Sequence, residues 1–325
     1  MTDIMSSLAP LADRVNRTLE SLISRDAVVV ARISGYSLEG GGKRLRPLIF
    51  CLVSSALGRE ITGEVLELGA AFELLHLASL LHDDIVDLAE VRRGRAAAHL
   101  AFGVPETVLA GDYLMAKAGR LGADTENLAC VKIMSGLVKT MALGELAQLG
   151  ARRRADLGAA EYFRIIYRKT AVLMEGAARC AAVLAGAGDR EVAEAGRYGR
   201  KLGLAFQIID DLLDYQGDEA ALGKPIGHDL EEGKITLPFI LARETLPPAR
   251  RERLQNLAGP ESGPLSQKDF QEIIALVGEG RGQAEALLKA EILAGQAARV
   301  LSGWPKSPAR EHLAALAAYV TARSS

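Results

Sequence analysis

The stretch EVLELGAAFELLHLASLLHDDIVDLAEV, residues 64–91, is the strongest indication of the fold class of this chain. Apolar residues recur in it at spacings of three and four without a proline, which predicts one long, largely buried α-helix. Three carboxylates, those of Asp83, Asp84 and Asp87, interrupt its apolar end. A carboxylate among apolar side chains costs free energy unless a positive charge offsets it, so this face either meets water or holds a cation.

The rest of the chain repeats the helical pattern. Residues 130–150, 162–186 and 191–215 keep the same spacing of apolar residues. No segment is rich in alternating β-branched and aromatic residues, so strands are not expected. No shift in composition marks a domain boundary. The sequence therefore predicts an all-α fold that forms a single domain over residues 1–325.

The bulk composition is that of a globular protein of 325 residues with a net charge of −2. This charge balance gives no indication of a nucleic-acid partner. The three cysteines lie far apart without CxxC spacing, which is typical of buried thiols in a reducing compartment. No signal peptide and no uninterrupted apolar run of roughly 18–20 residues is found, so we expect a soluble, cytoplasmic protein without a transmembrane segment.

A helical wheel of residues 64–91 places four polar side chains on one narrow stripe. They are His76, Ser79, Asp83 and Asp87, which fall within a quarter-turn to either side of its centre. A stripe that carries an imidazole, a hydroxyl and two carboxylates on an apolar helix is typical of the wall of a binding site. It faces either solvent or an internal cavity.

A second acidic cluster, Asp210, Asp211 and Asp214, repeats the DDxxD pattern of the first. Gln207 joins its face at helical spacing. Oxygen ligands without a nearby cysteine suit a hard cation, and Mg²⁺ takes only one or two carboxylates per ion before water and phosphate oxygens complete its shell. One such motif is more often a solvated acidic turn, whereas two copies within apolar helices favour a metal site.

Basic residues lie at separate places along the chain. Gly-rich turns followed by cations are suited to phosphate, and the turn EGGGKRLRP (39–47) has this composition, although an exposed basic turn is the alternative. A lysine inside an apolar helix can also simply extend to the surface. The remaining candidates are Arg92, Arg93, Lys169 with Thr170, Lys224 and Lys234. Together with the acidic clusters they predict more than one phosphorylated substrate.

These motifs together resemble the trans-isoprenyl diphosphate synthases, also called polyprenyl synthetases, and most of all the medium- and long-chain, octaprenyl-type members. The resemblance covers about residues 30–245. The motifs in family order are GGKRLRP, LLHDDIVDLAEVRRG, GD at 111–112, KT at 169–170, FQIIDDLLD and GKPIGHDLEEGKITLP. The resemblance implies a bundle of mostly antiparallel helices around a central cavity, with the two aspartate motifs facing each other across its mouth.

The resemblance also implies roles for individual residues. Three Mg²⁺ ions would be held by Asp83, Asp87, Asp210 and Asp214. The catalytic set would be Asp83, Asp84, Asp87, Arg92, Lys169, Asp210, Asp211 and Asp214. The allylic diphosphate would bind Arg92, Lys169, Thr170, Gln207, Lys224 and Lys234, and isopentenyl diphosphate would bind Lys43, Arg46, His76 and Arg93. The allylic substrate would ionise, the second substrate would attack, and the released diphosphate would accept the proton.

The residues four and five before the first aspartate set the tunnel depth in that family. They are Ser79 and Ala78, both small, which implies a medium or long product of the kind that supplies quinone side chains. Homodimerisation and release of the product at a membrane are further expectations from the resemblance.

Three alternatives remain open at this stage. A class I terpene cyclase shares the fold and the first motif, but its second metal site usually follows an Asn/Ser/Glu pattern. A non-catalytic subunit of a heteromeric synthase usually lacks one aspartate motif, whereas this chain has both. The third alternative is a synthase with a shorter, farnesyl or geranylgeranyl product.

Overall fold

A computed structural model of the chain describes residues 4–25, 27–39, 41–216, 227–260, 263 and 265–322. The α-helices in chain order are α1 (Ile4–Ser24), α2 (Val28–Glu39), α3 (Leu45–Ala56), α4 (Gly63–Val86), α5 (Ala98–Phe102), α6 (Val104–Asp124), α7 (Leu128–Gly150), α8 (Ala159–Ile166), α9 (Val172–Leu184), α10 (Asp189–Gln216), α11 (His228–Glu231), α12 (Leu237–Thr245), α13 (Pro248–Ala258), α14 (Gln267–Glu279), α15 (Gly282–Val300) and α16 (Pro308–Ala322). The predicted all-α class is confirmed.

Strands are confined to one small hairpin among the described residues. Strand β1 (Val91–Arg92) pairs antiparallel with β2 (Arg95–Ala96). Arg93 and Gly94 between them have φ values of 53° and 75°. Two positive φ angles in a two-residue loop are typical of a type I′ turn, whose twist matches that of the strands. The sequence contains no convincing strand signal here, because strands of two residues are too short to produce an alternating pattern.

The chain divides into two compact units. The first comprises Met1–Lys139, Leu173–Gly199 and Ala298–Leu316, and the second comprises Thr140–Val172, Arg200–Ala297 and Ala317–Ser325. In the first unit α4 packs against α6, α3 and α1. In the second unit α12 packs against α14, α13 and α8. The single domain expected for residues 1–325 stays a prediction.

Helix α4 is the core helix of the first unit. Its side chains are buried on nearly all sides from Val65 to Leu81, as expected for a helix that is apolar around its circumference. Among the described helices it alone is long and apolar enough to cross a membrane by composition, and 72% of its most apolar 18-residue window is buried inside the protein. Burial of this extent is typical of a core helix.

The cysteines follow the prediction of buried thiols. Cys51, Cys130 and Cys180 are all free and buried. Burial raises the pKa of the Cys51 thiol to about 12, which keeps it protonated and unreactive.

Candidate active site

The polar stripe of α4 is the side of the helix that the surrounding helices leave partly open. His76, Ser79 and Asp83 are partly exposed, whereas Leu77 and Ala78 between them are buried. The Ser79 hydroxyl donates to the carbonyl of His76 at 2.8 Å. Asp87 lies one position beyond the helix and still has helical dihedrals, and its N–H donates to the carbonyl of Asp83 at 2.8 Å. The outer two carboxylates of the first motif are therefore held one turn apart at the open end of α4.

The middle carboxylate of the first motif points into the protein. Asp84 is 3% exposed, and its Oδ1 accepts a hydrogen bond from Arg92 Nε at 2.8 Å and another from Arg92 Nη2. Because Arg92 lies on β1, this ion pair fixes the hairpin to the end of α4. The guanidinium offsets the cost of burying the carboxylate. Asp84 thus acts on the structure of the motif, which its grouping with Asp83 and Asp87 in the sequence does not reveal.

The glycine turn before α3 is tied to the same hairpin. Arg93 Nη1 donates to the carbonyl of Gly41. Gly41 and Gly42 have φ values of 86° and 144°, and a Cβ atom on Gly42 would lie 2.8 Å from Arg44 Nη1. Both the backbone conformation and the close approach of an arginine therefore require glycine at this turn.

The side chain of Arg44 stabilises the basic turn through contacts with other parts of the protein. Arg44 has a left-handed backbone conformation with φ of 50°, and its guanidinium donates to Asn16 Oδ1 at 3.0 Å and to the Leu38 carbonyl at 3.2 Å. It also forms an ion pair of 3.2 Å with Glu73, in which the side chains are only 10% and 5% exposed. Sequence reasoning missed Glu73, although an acidic residue three positions before His76 in an apolar helix was a signal.

The first unit concentrates positive charge around His76. The pKa of His76 is lowered well below its usual value by burial and then by the charges of four arginines, which are Arg46, Arg93, Arg92 and Arg44 in order of effect. The pKa of Arg93 is lowered by burial and by Arg44 and Arg92. Like charges held together raise the free energy of the protein, and a bound anion relieves this repulsion. This region is therefore suited to a multiply charged anion.

Acid should destabilise the protein through His76. Its pKa in the folded state lies below that of the unfolded chain, so the unfolded chain takes up the proton first as the pH falls through 6.5. The unfolding free energy should then decrease by at most about 1.4 kcal/mol per pH unit. Denaturant titrations between pH 7 and about 5 of the wild type and His76→Gln measure this effect. Equal pH dependence in both proteins would contradict the assignment.

The second unit carries a π-helical turn at Tyr167–Ala171, between α8 and α9. Lys169 and Thr170, which the sequence predicted as phosphate ligands, both lie in this turn. The π-helix is rare and occurs mostly as single turns within α-helices, frequently at functional sites. Sequence reasoning did not predict it, because apolar spacing continues through residues 162–186.

A chain of hydrogen bonds joins the π-turn to the second aspartate motif. Thr170 Oγ1 donates to Gln207 Oε1 at 2.8 Å, and Gln207 Nε2 donates to Asp211 Oδ1 at 2.7 Å. The Tyr162 hydroxyl donates to Asp211 Oδ2 at 2.5 Å. Burial raises the pKa of Asp211 well above its usual value, and the charge of Asp229 raises it further. Tyr162 was missed, and nothing in the sequence marks it.

In the second motif, as in the first, the middle carboxylate is buried, but here one of the outer carboxylates is buried as well. Its middle carboxylate, on Asp211, is 4% exposed and bound by protein donors. Asp210 is exposed, and Asp214 is 9% exposed and accepts the backbone N–H of Asp229 at 3.1 Å. The residue type is the same at all three positions, so only the surroundings in the structure distinguish the three aspartates.

The predicted cations of the second unit contact carboxylates. Lys169 Nζ lies 2.7 Å from Glu145 Oε2. Lys234 Nζ contacts Glu232 and lies 3.9 Å from Asp229 Oδ1. Lys224 lies outside the described residues. Glu145 was missed, although it is an isolated acid in the apolar stretch MALGELAQLG.

The outer carboxylates fit an ion that takes few protein ligands. Within the described part of the chain, no three His, Cys, Asp or Glu side chains are grouped so as to hold a metal ion by themselves. Mg²⁺ does not require such a group, because substrate phosphates and water complete its octahedron. Pairs of carboxylates one helical turn apart, with Asp83 and Asp210 at solvent-accessible positions, agree with this type of coordination.

Comparisons with known proteins identify the family to which the chain belongs. The sequence matches the family model for polyprenyl synthetase over residues 28–277. The octaprenyl diphosphate synthase of Escherichia coli (strain K12) is 37% identical over 303 residues, which cover 93% of each chain. A short chain isoprenyl diphosphate synthase of Methanothermobacter thermautotrophicus is 36% identical over 326 residues, which cover 99% of this chain and 98% of that protein.

A solved structure has the same fold. It is the polyprenyl synthase from Caulobacter crescentus CB15 complexed with calcium and isoprenyl diphosphate, with a TM-score of 0.92, 34% identity and coverage of 100% of this chain and 98% of that chain. The chain therefore belongs to the polyprenyl synthetase family. It is an enzyme, a trans-polyprenyl diphosphate synthase, which confirms the predicted class of protein.

Proposed function

We propose that the enzyme condenses isopentenyl diphosphate with an allylic diphosphate, head to tail and in trans configuration, to make a medium- or long-chain polyprenyl diphosphate for a quinone side chain. The observation that carries the proposal is the cluster of arginines around His76 beside the first aspartate motif, in which Arg92 binds Asp84 and Arg93 binds the Gly41 carbonyl. A single chain that combines this anion site with two aspartate motifs has the groups that two diphosphate substrates require.

Isopentenyl diphosphate is assigned to the first unit. Lys43, Arg46, His76 and Arg93 would hold its diphosphate. Arg44 and Glu73 fix the turn that presents Lys43 and Arg46, so the cations are preorganised before the substrate binds. A neutral His76 can donate one hydrogen bond to a phosphate oxygen without adding to the repulsion among the arginines.

The allylic diphosphate is assigned to both aspartate motifs and to the π-turn. Asp83, Asp87, Asp210 and Asp214 would hold three Mg²⁺ ions, which when bound neutralise the charge that develops on the departing diphosphate. Arg92, Lys169, Thr170, Gln207, Lys224 and Lys234 would orient the same group. The apolar side chains of α4 exclude water, which would otherwise capture the allylic cation. The departing diphosphate accepts the proton.

The proposed reaction is tested by release of inorganic diphosphate. Release should require isopentenyl diphosphate, an allylic diphosphate and Mg²⁺ together, and chelation of the metal should abolish it. Equal release without isopentenyl diphosphate would instead support a terpene cyclase. No release with any allylic primer would support a non-catalytic subunit.

Phenylalanine at Ser79 should shorten the product. Ser79 lies on the partly exposed stripe one turn before Asp83, so a large ring there would narrow the path of a growing chain. We expect Ser79→Phe to move the main product down by one or more five-carbon units, as measured by mass spectrometry. A product unchanged from wild type would contradict the tunnel.

Ala78 is less suited to this test, although it is the other residue assigned to chain length. It is fully buried, and phenylalanine there would overpack the core at a cost of about 1–3 kcal/mol. Ala78→Phe must therefore be checked for unfolding before its product is interpreted.

A shorter product is a second candidate. The relative from Methanothermobacter thermautotrophicus is described as a short chain synthase and is 36% identical over 99% of this chain. The octaprenyl synthase from Escherichia coli is 37% identical over 93%. Identity therefore does not separate the two products, and the small side chains at 78 and 79 favour the longer one.

The enzyme is further proposed to be a cytoplasmic homodimer that transfers its lipid product at a membrane. Helix α6 exposes Leu109 and Tyr113 one turn apart on one face, at 65% and 40%. An apolar helix face of this kind is typical of a subunit interface. Sedimentation equilibrium measures the oligomeric state, and a monomer at micromolar concentration would contradict the dimer.

A further inference from the structure

The π-turn at Tyr167–Ala171 needs support from its surroundings. An isolated π-helical turn has poorer backbone geometry than the α-helix on either side of it, so it persists only where neighbouring groups favour it. Lys169 and Thr170 take their positions from this turn. Whatever holds the turn therefore also sets where these two side chains can meet a ligand.

Two glycines of neighbouring helices contact the backbone of the turn. A Cβ atom on Gly144 of α7 would lie 2.7 Å from Lys169 N and 2.8 Å from the Arg168 carbonyl carbon. A Cβ atom on Gly203 of α10 would lie 2.7 Å from Ala171 Cα. Both glycines lie within helices, where glycine costs about 1 kcal/mol relative to alanine. Close approach of the π-turn is the reason that alanine does not fit.

Polar side chains next to these glycines hold the two functional groups. Glu145, which follows Gly144, pairs with Lys169 at 2.7 Å, and both side chains are partly buried. Gln207, one turn after Gly203 on the same helix face, accepts the hydrogen bond of Thr170 at 2.8 Å. Each neighbouring helix thus contacts the turn through one glycine and one polar side chain.

We propose that Gly144, Glu145 and Gly203 are positioning residues that fix the π-turn and, through it, the Lys169 ammonium and the Thr170 hydroxyl. This inference rests on the proposed function, in which those two groups bind the allylic diphosphate. Glu145 holds the Lys169 ammonium on the α7 side of the turn. Gly203 allows α10 to bring Gln207, and with it the second aspartate motif, against Thr170.

Gly144→Ala should impair use of the allylic substrate selectively. To reach an ordinary contact of 3.4 Å from 2.7 Å, the turn must move by about 0.7 Å. A displacement of this size should lower kcat/KM for the allylic diphosphate by roughly ten- to a hundredfold. KM for isopentenyl diphosphate should stay within about twofold of wild type. The matched control is Gly136→Ala on the same helix, where a Cβ meets nothing within 4 Å.

Glu145→Gln tests the same inference without a steric change. The amide keeps the size of the side chain but loses the charge that holds Lys169, so KM for the allylic diphosphate should rise roughly tenfold. Glu145→Asp keeps the charge and should show only part of this increase in KM. Circular dichroism and thermal melting establish that each variant is folded. If Gly144→Ala does not fold, Glu145→Gln alone decides the outcome.

Lys169→Ala separates this inference from the proposed function. If Lys169→Ala raises KM for the allylic diphosphate while Gly144→Ala and Glu145→Gln both behave as Gly136→Ala does, the positioning role is overturned and the proposed function stands. If Lys169→Ala itself has the KM of wild type, the assignment of Lys169 to that substrate fails, and the positioning role fails with it.

Discussion

Asp83→Asn is expected to lower kcat by about 10³-fold, because a change of several kcal/mol in charge stabilisation of the departing diphosphate corresponds to about three powers of ten. Asparagine keeps the shape of the side chain but loses its negative charge, so Mg²⁺ is held less tightly. The concentration of Mg²⁺ needed for half-maximal rate should rise in parallel. Steady-state kinetics across a Mg²⁺ titration measure both quantities.

One control and one comparison make this result specific. The control is Asp13→Asn, at an exposed position on α1, which should leave kcat and the Mg²⁺ requirement unchanged. The comparison is Asp84→Asn, which, unlike Asp83→Asn, should also lower the unfolding free energy by about 2 kcal/mol, because Arg92 loses a buried carboxylate. If Asp83→Asn retained kcat within twofold of wild type, the first motif would not be a metal site.

Arg46→Gln should raise KM for isopentenyl diphosphate by about a hundredfold, since a charge-assisted contact in a nearly dry site contributes roughly 3 kcal/mol. Arg46 is 8% exposed in the first turn of α3. KM for the allylic diphosphate should change little, because that substrate is assigned to other cations. Arg17→Gln, at an exposed position on α1, is the matched control.

This variant has a second readout that needs no substrate. Arg46 has the largest effect among the charges that lower the pKa of His76. Its removal should therefore raise that pKa towards the usual value, which NMR titration of the imidazole measures. An unchanged pKa, or an equal rise in KM for both substrates, would contradict the assignment of Arg46 to the isopentenyl site.

The sequence predicts the helices α4, α7 and α10 because their apolar spacing is regular. Residues 64–91 anticipate the start of α4 at Gly63 but run past its end at Val86, where a turn and strand β1 follow. The partly exposed stripe through His76, Ser79 and Asp83 lies where the helical wheel places it. These features follow from local periodicity, which one sequence contains. The π-turn at Tyr167–Ala171 does not follow from local periodicity, because the contacts that favour it come from glycines on other helices.

Within the site, the sequence identifies the residue types but not their orientations. It treats Lys43, Arg44 and Arg46 as one basic group, whereas a left-handed backbone conformation turns Arg44 towards Glu73. It likewise treats each DDxxD motif as a unit, although Asp84 and Asp211 are buried and bound by protein donors. Tertiary contacts decide these orientations, so they require the structure.

Chain elongation is tested directly by the product of the purified enzyme incubated with Mg²⁺, isopentenyl diphosphate and farnesyl diphosphate. Mass spectrometry should find a series of polyprenyl diphosphates that increase in five-carbon steps and end at one defined long chain. A cyclic hydrocarbon, or no elongated diphosphate with any allylic primer, would contradict the proposal that this chain is a chain-elongating prenyltransferase.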